Sequence, residues 1–291
     1  MLGETADIDI VFIHKEPPTC EREIVRLSQQ VHFDIAHHHK QRYEKPSLLR
    51  TDPWLGPALC EPIFLHDPEH FFEWAQAGAR GQYYRPDHAF ARASAFLEQA
   101  RQQSSLLQIS ERWERAYLSA MLDASNSVAS LHKFPVAGRR LALALKHQSQ
   151  ALELPDVYNG FMHMIGADLI HDWAVTDLFQ PWAQAFDAAS KLDHEELLVE
   201  CRRDYYLQGF QALTESGEHK AVLWPLLLTW ERSIFSLDRL MDPSYHRQAW
   251  DKTLADLQLD PSRRVERERA LAHFIDHAQS QLELWAEEHG A

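Results

Sequence analysis

The apolar pattern of this chain changes period at Asp67. Before that residue, hydrophobic and polar side chains alternate in short runs; after it, apolar residues recur at intervals of three and four. Strands send successive side chains to opposite faces, whereas helices gather positions three and four apart onto one face. The expectation is an α+β protein, with a small mixed sheet leading into a large all-helical domain. Residues 1–67 read as a strand over Asp7–Ile13 closed by Glu16-Pro17-Pro18, a short helix around Cys20–Gln30, and a strand around Asp34. A Pro-rich loop then leads to a strand near Ile63–Leu65.

Residues 68–291 read as helix. Asp67-Pro68-Glu69 is a start signal, with Asp as the cap and Pro in the first turn, and Phe71, Phe72, Trp74 and Ala75 supply an apolar face. Pro86-Asp87 opens a second helix on which Phe90, Ala93, Leu97 and Ala100 recur. Arg112–Leu131 and Arg139–Leu152 follow, parted by Phe134-Pro135-Val136-Ala137-Gly138. The longest stripe is Val222, Leu223, Leu226, Leu227, Trp230, Ile234, Leu237 and Met241. Asp260-Pro261 begins the last helix.

The two strands nearest the N-terminus carry the chemistry. Asp7 and Asp9 lie two residues apart, so both carboxylates project from one face of one strand. Val31-His32-Phe33-Asp34-Ile35 is a second strand, and if it pairs beside the first, Asp34 joins them. Three converging carboxylates repel one another unless a hard cation neutralises them. Asp7, Asp9 and Asp34 are therefore the candidate ligands of an oxygen-lined divalent-metal site, with Mg²⁺ the natural ion.

This acid pattern resembles the DNA polymerase beta superfamily of nucleotidyltransferases, above all its small minimal and antibiotic-modifying bacterial members. Gly3-Glu4-Thr5-Ala6-Asp7-Ile8-Asp9-Ile10 is similar to the tail of the family signature, with Ala6 where Ser is usual. Arg50-Thr51-Asp52-Pro53-Trp54-Leu55 through Ile63-Phe64-Leu65-His66-Asp67 resembles the segment that follows the third acid. The likeness covers roughly the first quarter of the chain. It implies a nucleotidyltransferase-like domain over 1–67 and a helical domain over 68–291. It also implies two Mg²⁺ ions held by Asp7 and Asp9, with Asp34 completing the second. The reaction implied is transfer of a nucleoside monophosphate from an NTP to a hydroxyl acceptor, with Asp7, Asp9 and Asp34 as the catalytic residues. The family's phosphate-holding Gly-Ser loop would stand upstream of Gly3. A chain lacking it is expected to grip a triphosphate poorly, which leaves a non-catalytic, antitoxin-like partner module as the alternative.

Composition narrows the partners. The formal net charge of −14 repels phosphate backbones, so a nucleotide with a small-molecule or protein acceptor is expected rather than nucleic acid. No run reaches the ~20 apolar residues a membrane helix needs, and Met-Leu-Gly-Glu-Thr has neither the basic region nor the apolar core of an export signal. Cys20, Cys60 and Cys201 are scattered and odd in number, which suits a reducing cytoplasm. Arg139-Arg140, Arg202-Arg203 and Arg263-Arg264 read as solvated ion pairs on helices.

Other groupings are cheaper. His37-His38-His39 alternates across a strand, so the three rings cannot meet on one ion, and a polar strand end is expected. Arg140 with His147, and Arg267 with His273, match the spacing of HEPN-type ribonucleases. His147, His171, Asp172 and Asp177 resemble the ligand set of helical HD phosphohydrolases. With 18 histidines present, such pairs arise by chance.

Overall fold

A computed structural model describes residues 6–28, 31–192, 198–240 and 244–291. Gly3, Glu4 and Thr5 of the signature-like segment, Gln30, and Met241 of the long apolar stripe lie outside the described residues. The molecule is α+β, as its change of period requires. Strands β1 (Ala6–His14), β2 (Arg22–Arg26) and β3 (Val31–His39) form a three-stranded sheet in the order β1-β3-β2. The principal helices follow: α1 (Phe71–Arg80), α2 (Pro86–Leu106), α3 (Trp113–His132), α4 (Leu141–Ala151), α5 (Pro155–Met164), α6 (Phe179–Ala189), α7 (Glu200–Glu215), α8 (Leu223–Leu240), α9 (Ser244–Asp256) and α10 (Arg264–His289). None of the described helices is long and apolar enough to cross a membrane.

Two local expectations need correction. The segment expected to be a helix around Cys20–Gln30 contains β2, antiparallel to β3 with Ile24 opposite Asp34 and Arg26 opposite His32. At the end of this strand pair the Leu27 and Ser28 amides donate to the Val31 carbonyl at 3.0 Å and the Ser28 hydroxyl accepts from the Val31 amide. Ladder pairing and a part-buried, β-branched Ile24 override the helical propensity of the flanking Glu and Arg. The strand expected near Ile63–Leu65 is also missing. Those residues are irregular, and Ile63 and Leu65 are 86% and 82% exposed, so no neighbouring strand supports them. Just beyond, the Asp67 carboxylate accepts from the Phe71, Phe72 and Glu73 amides at 2.8–3.1 Å. Asp67 does cap a helix, but α1 starts at Phe71, after His70 takes a left-handed turn at φ 52°.

The chain divides into two compact units. One comprises residues 1–38 with 162–267, the other 39–161 with 268–291. The first holds the sheet. Its helical core is aromatic: Trp182 lies 4.8 Å from Phe210 and 5.4 Å from Phe186, and its indole donates to the Thr229 hydroxyl at 2.9 Å. Val222, Leu223, Leu226, Leu227, Trp230, Ile234 and Leu237 are all buried, so the long stripe faces this core. Fully burying side chains of this size contributes about 1.5–3 kcal/mol apiece.

In the second unit α2 and α3 pair along their lengths. Ala93, Phe96, Leu97 and Ala100 are buried from α2, as are Trp113, Tyr117, Met121 and Val128 from α3. The break after α3 is tied down by Asn126, whose amide both donates to the Val136 carbonyl and accepts from the Val136 amide. The Trp113 indole donates to Glu268 at 2.9 Å.

Candidate metal centre

β1 is an edge strand and β3 the centre of the sheet. The two run in the same direction, for Asp9 meets Asp34 near one end while Phe12 and His14 meet His37 further along. Odd-numbered positions of β1 thereby share a face with even-numbered positions of β3. Asp7, Asp9 and Asp34 are brought together on that face, each offering one oxygen, with the three atoms within 4.8 Å of one another. Among the described residues no other group of three His, Cys, Asp or Glu side chains converges in this way.

The carboxylates are not alone. Arg22, on β2, grips Asp34 as a two-pronged fork, with Nε donating to Oδ1 at 2.6 Å and Nη2 to Oδ2 at 2.5 Å. Arg202, on α7, donates from Nη2 to the same Oδ2, and its Nε lies 3.5 Å from the His32 ring nitrogen. One helical turn on, the Tyr205 hydroxyl donates to Asp7 Oδ2 at 2.6 Å, and its ring meets His32 edge-on at 5.0 Å. Helix positions three apart share a face, so a single face of α7 reaches acids on two different strands. Asp34 and Arg202 are almost wholly buried, whereas Arg22 keeps 39% of its side chain exposed. Asp9 is exposed and accepts no hydrogen bond from a described residue.

These surroundings separate the acids electrostatically. Although the Asp9 side chain reaches solvent, partial desolvation by the surrounding atoms raises its carboxyl, and the neighbouring charges of Asp7 and Asp34 raise it further, with Arg22 and Arg202 only partly offsetting them. Burial also pushes Asp34 upward, but the Arg22 hydrogen bonds and the charges of Arg202, Arg22 and His32 outweigh it and hold that carboxyl below its ordinary value. Three carboxylates facing two guanidinium groups leave one net negative charge. The protein thus offsets part of the cluster's charge with two cations of its own, a contribution the sequence did not reveal.

Sequence reasoning missed Arg22, Arg202, Tyr205 and His32. Of the Arg202-Arg203 pair expected to be solvated, Arg203 does bond Asp187 and Asp204 near the surface, but Arg202 is buried against Asp34. A signal for this was present. Arg202 continues the buried stripe of Tyr205, Tyr206, Gly209, Phe210 and Leu213, and a charge on a core-facing stripe must find a partner.

The remaining groupings are placed as follows. His37 lies on the opposite face of the sheet from the acids, 2.9 Å from His14 and 3.3 Å from Glu23. The Arg267 guanidinium donates to the carbonyls of Leu257, Gln258 and His163 and so ties backbone turns together, while His273 is exposed. Arg140 and His147 are exposed in the second unit; His171, Asp172 and Asp177 are exposed in the first. No protein-family model, curated protein or solved structure matches this chain.

Proposed function

We propose that Asp7, Asp9 and Asp34 form the divalent-metal centre of a nucleotidyltransferase of the DNA polymerase beta type. The observation that carries the proposal is the convergence of their oxygens within 4.8 Å. Oxygen donors bind Mg²⁺ at about 2.0–2.1 Å, so donors on opposite sides of one ion stand about 4.2 Å apart. The 4.8 Å limit on their separation is slightly wider than that span, so the carboxylates would draw in a little to share one ion. Among the described residues Asp9 accepts no hydrogen bond, Asp7 accepts one at Oδ2 from Tyr205, and Asp34 Oδ1 accepts a single N–H, which leaves lone pairs on each carboxylate. Bound there, Mg²⁺ supplies Lewis-acid polarisation and neutralises phosphate charge.

The chain's own residues do the rest by positioning. Tyr205 fixes Asp7, Arg202 and Arg22 fix Asp34, and the exposed part of Arg22 presents a positive charge to solvent, where the phosphates of an NTP would lie. The acceptor is a hydroxyl of a small molecule or protein, in keeping with a net charge of −14.

The test is pyrophosphate release from each of the four NTPs with Mg²⁺, in the presence of candidate hydroxyl acceptors. Asp9→Asn is expected to lower the rate about a hundredfold or more, since several kcal/mol of charge stabilisation are lost, without unfolding the chain. Full activity in the Asp7→Asn/Asp9→Asn double variant would rule the mechanism out.

A second reading rests on the two arginines. If guanidinium groups are the only counter-ions the acids need, the chain is a non-catalytic module that binds a protein partner. That reading expects neither cation binding nor pyrophosphate release.

A further inference from the structure

Asp34 is the odd member of the centre, because one carboxylate is held by two arginines. Arg202 is 4% exposed and reaches it from the helix face that closes the site. Arg22 brings a second positive charge to the same carboxylate, with two guanidinium nitrogens reaching its two oxygens. Resting on the nucleotidyltransferase reading, we infer that the centre takes one divalent cation, at Asp7 and Asp9, and that Arg22 supplies at Asp34 the positive charge a second ion would bring.

Donor inventory and charge both support this. From the described residues Asp34 accepts three N–H bonds, one at Oδ1 and two at Oδ2, out of about four lone-pair directions. One direction remains, enough to lean on a shared ion but too few to anchor another. Two ions in such a site stand about 3.5–4 Å apart and depend on carboxylate charge to offset their repulsion. Here the acids and arginines together retain one negative charge. A first divalent ion turns the cluster positive, and a second would enter against that charge and against Arg22. A guanidinium is also permanently charged and planar, so it presents the same face to an incoming phosphate whether or not the metal is loaded.

The experiment counts Mn²⁺ ions on the full chain by calorimetry and electron paramagnetic resonance, for wild type, Arg22→Gln and Arg22→Lys. Arg22→Gln leaves the Arg202 contact in place, and circular dichroism checks that each variant is folded. The expected result is one ion in wild type and in Arg22→Lys. Arg22→Gln should bind a second ion, or the first at least tenfold more tightly. Two ions in wild type would overturn the inference while leaving the transferase reading intact, as would unchanged count and affinity in Arg22→Gln. No ion in wild type would overturn both.

Discussion

Asp9 and Asp34 sit on adjacent strands, share a face, and are pushed in opposite directions. Asp34 is held below the ordinary carboxyl value, near 3.9, so the folded state favours its ionised form. Its contribution to stability is complete above that ordinary value and is lost as pH falls through its lowered folded value. Asp9 is raised, so folding penalises its ionised form; that penalty is complete above the raised value and vanishes in acid. With a chelator present, Asp34→Asn should destabilise the protein at pH 7, and the deficit should shrink below about pH 4. Asp9→Asn should instead stabilise it at pH 7, with a gain that fades at higher pH than the Asp34 deficit does, as pH falls from the raised value of Asp9 to the ordinary one. Urea unfolding of both variants between pH 3 and 7 checks the two signs; matching signs would mean that the arginines do not divide the acids as described.

At the scale of elements, α7 connects the sheet to the helical core. Its inner stripe begins with Arg202 and Tyr205 over the acids and ends with Phe210 and Leu213 against the aromatic core. Breaking a buried ion pair by removing one partner costs about 3–5 kcal/mol, because a charge is left stranded. Arg202→Met is accordingly expected to lower unfolding free energy toward the bottom of that range, since Arg22 still holds Asp34. Chemical denaturation measures this, and a loss under about 1 kcal/mol would show that the Arg202 contact adds little beyond the Arg22 fork. β2 shows where local reading gave out. Within Cys20–Gln30 only the β-branched Ile24 and Val25 favour a strand, against the helical propensity of their Glu and Arg neighbours, and pairing along β3 decided between the two.

At the scale of the whole molecule, the charge of −14 and the helical content were both readable from composition and period. A surface so acidic should not be retained on a heparin column at about 0.1 M salt, where the screening length is about 10 Å; firm retention would reveal a basic patch that the net charge conceals. The convergence of Asp7, Asp9 and Asp34 was legible in part. Two-residue spacing fixed the first pair on one face, but pairing of β1 with β3 was an assumption until the sheet order supplied it. The clamp on those acids was not legible, for Arg22 and Arg202 are separated from Asp34 by 12 and 168 residues, and no local period reports such a contact. Nor was it apparent which helices would join the sheet in one compact unit. The sequence by itself determined secondary structure wherever side-chain periodicity was strong, along with the faces on which charges stand, because both follow from backbone geometry within a few residues. Tertiary structure alone decided what neutralises the acids, because a buried charge is satisfied by whichever distant group the fold brings within hydrogen-bonding reach.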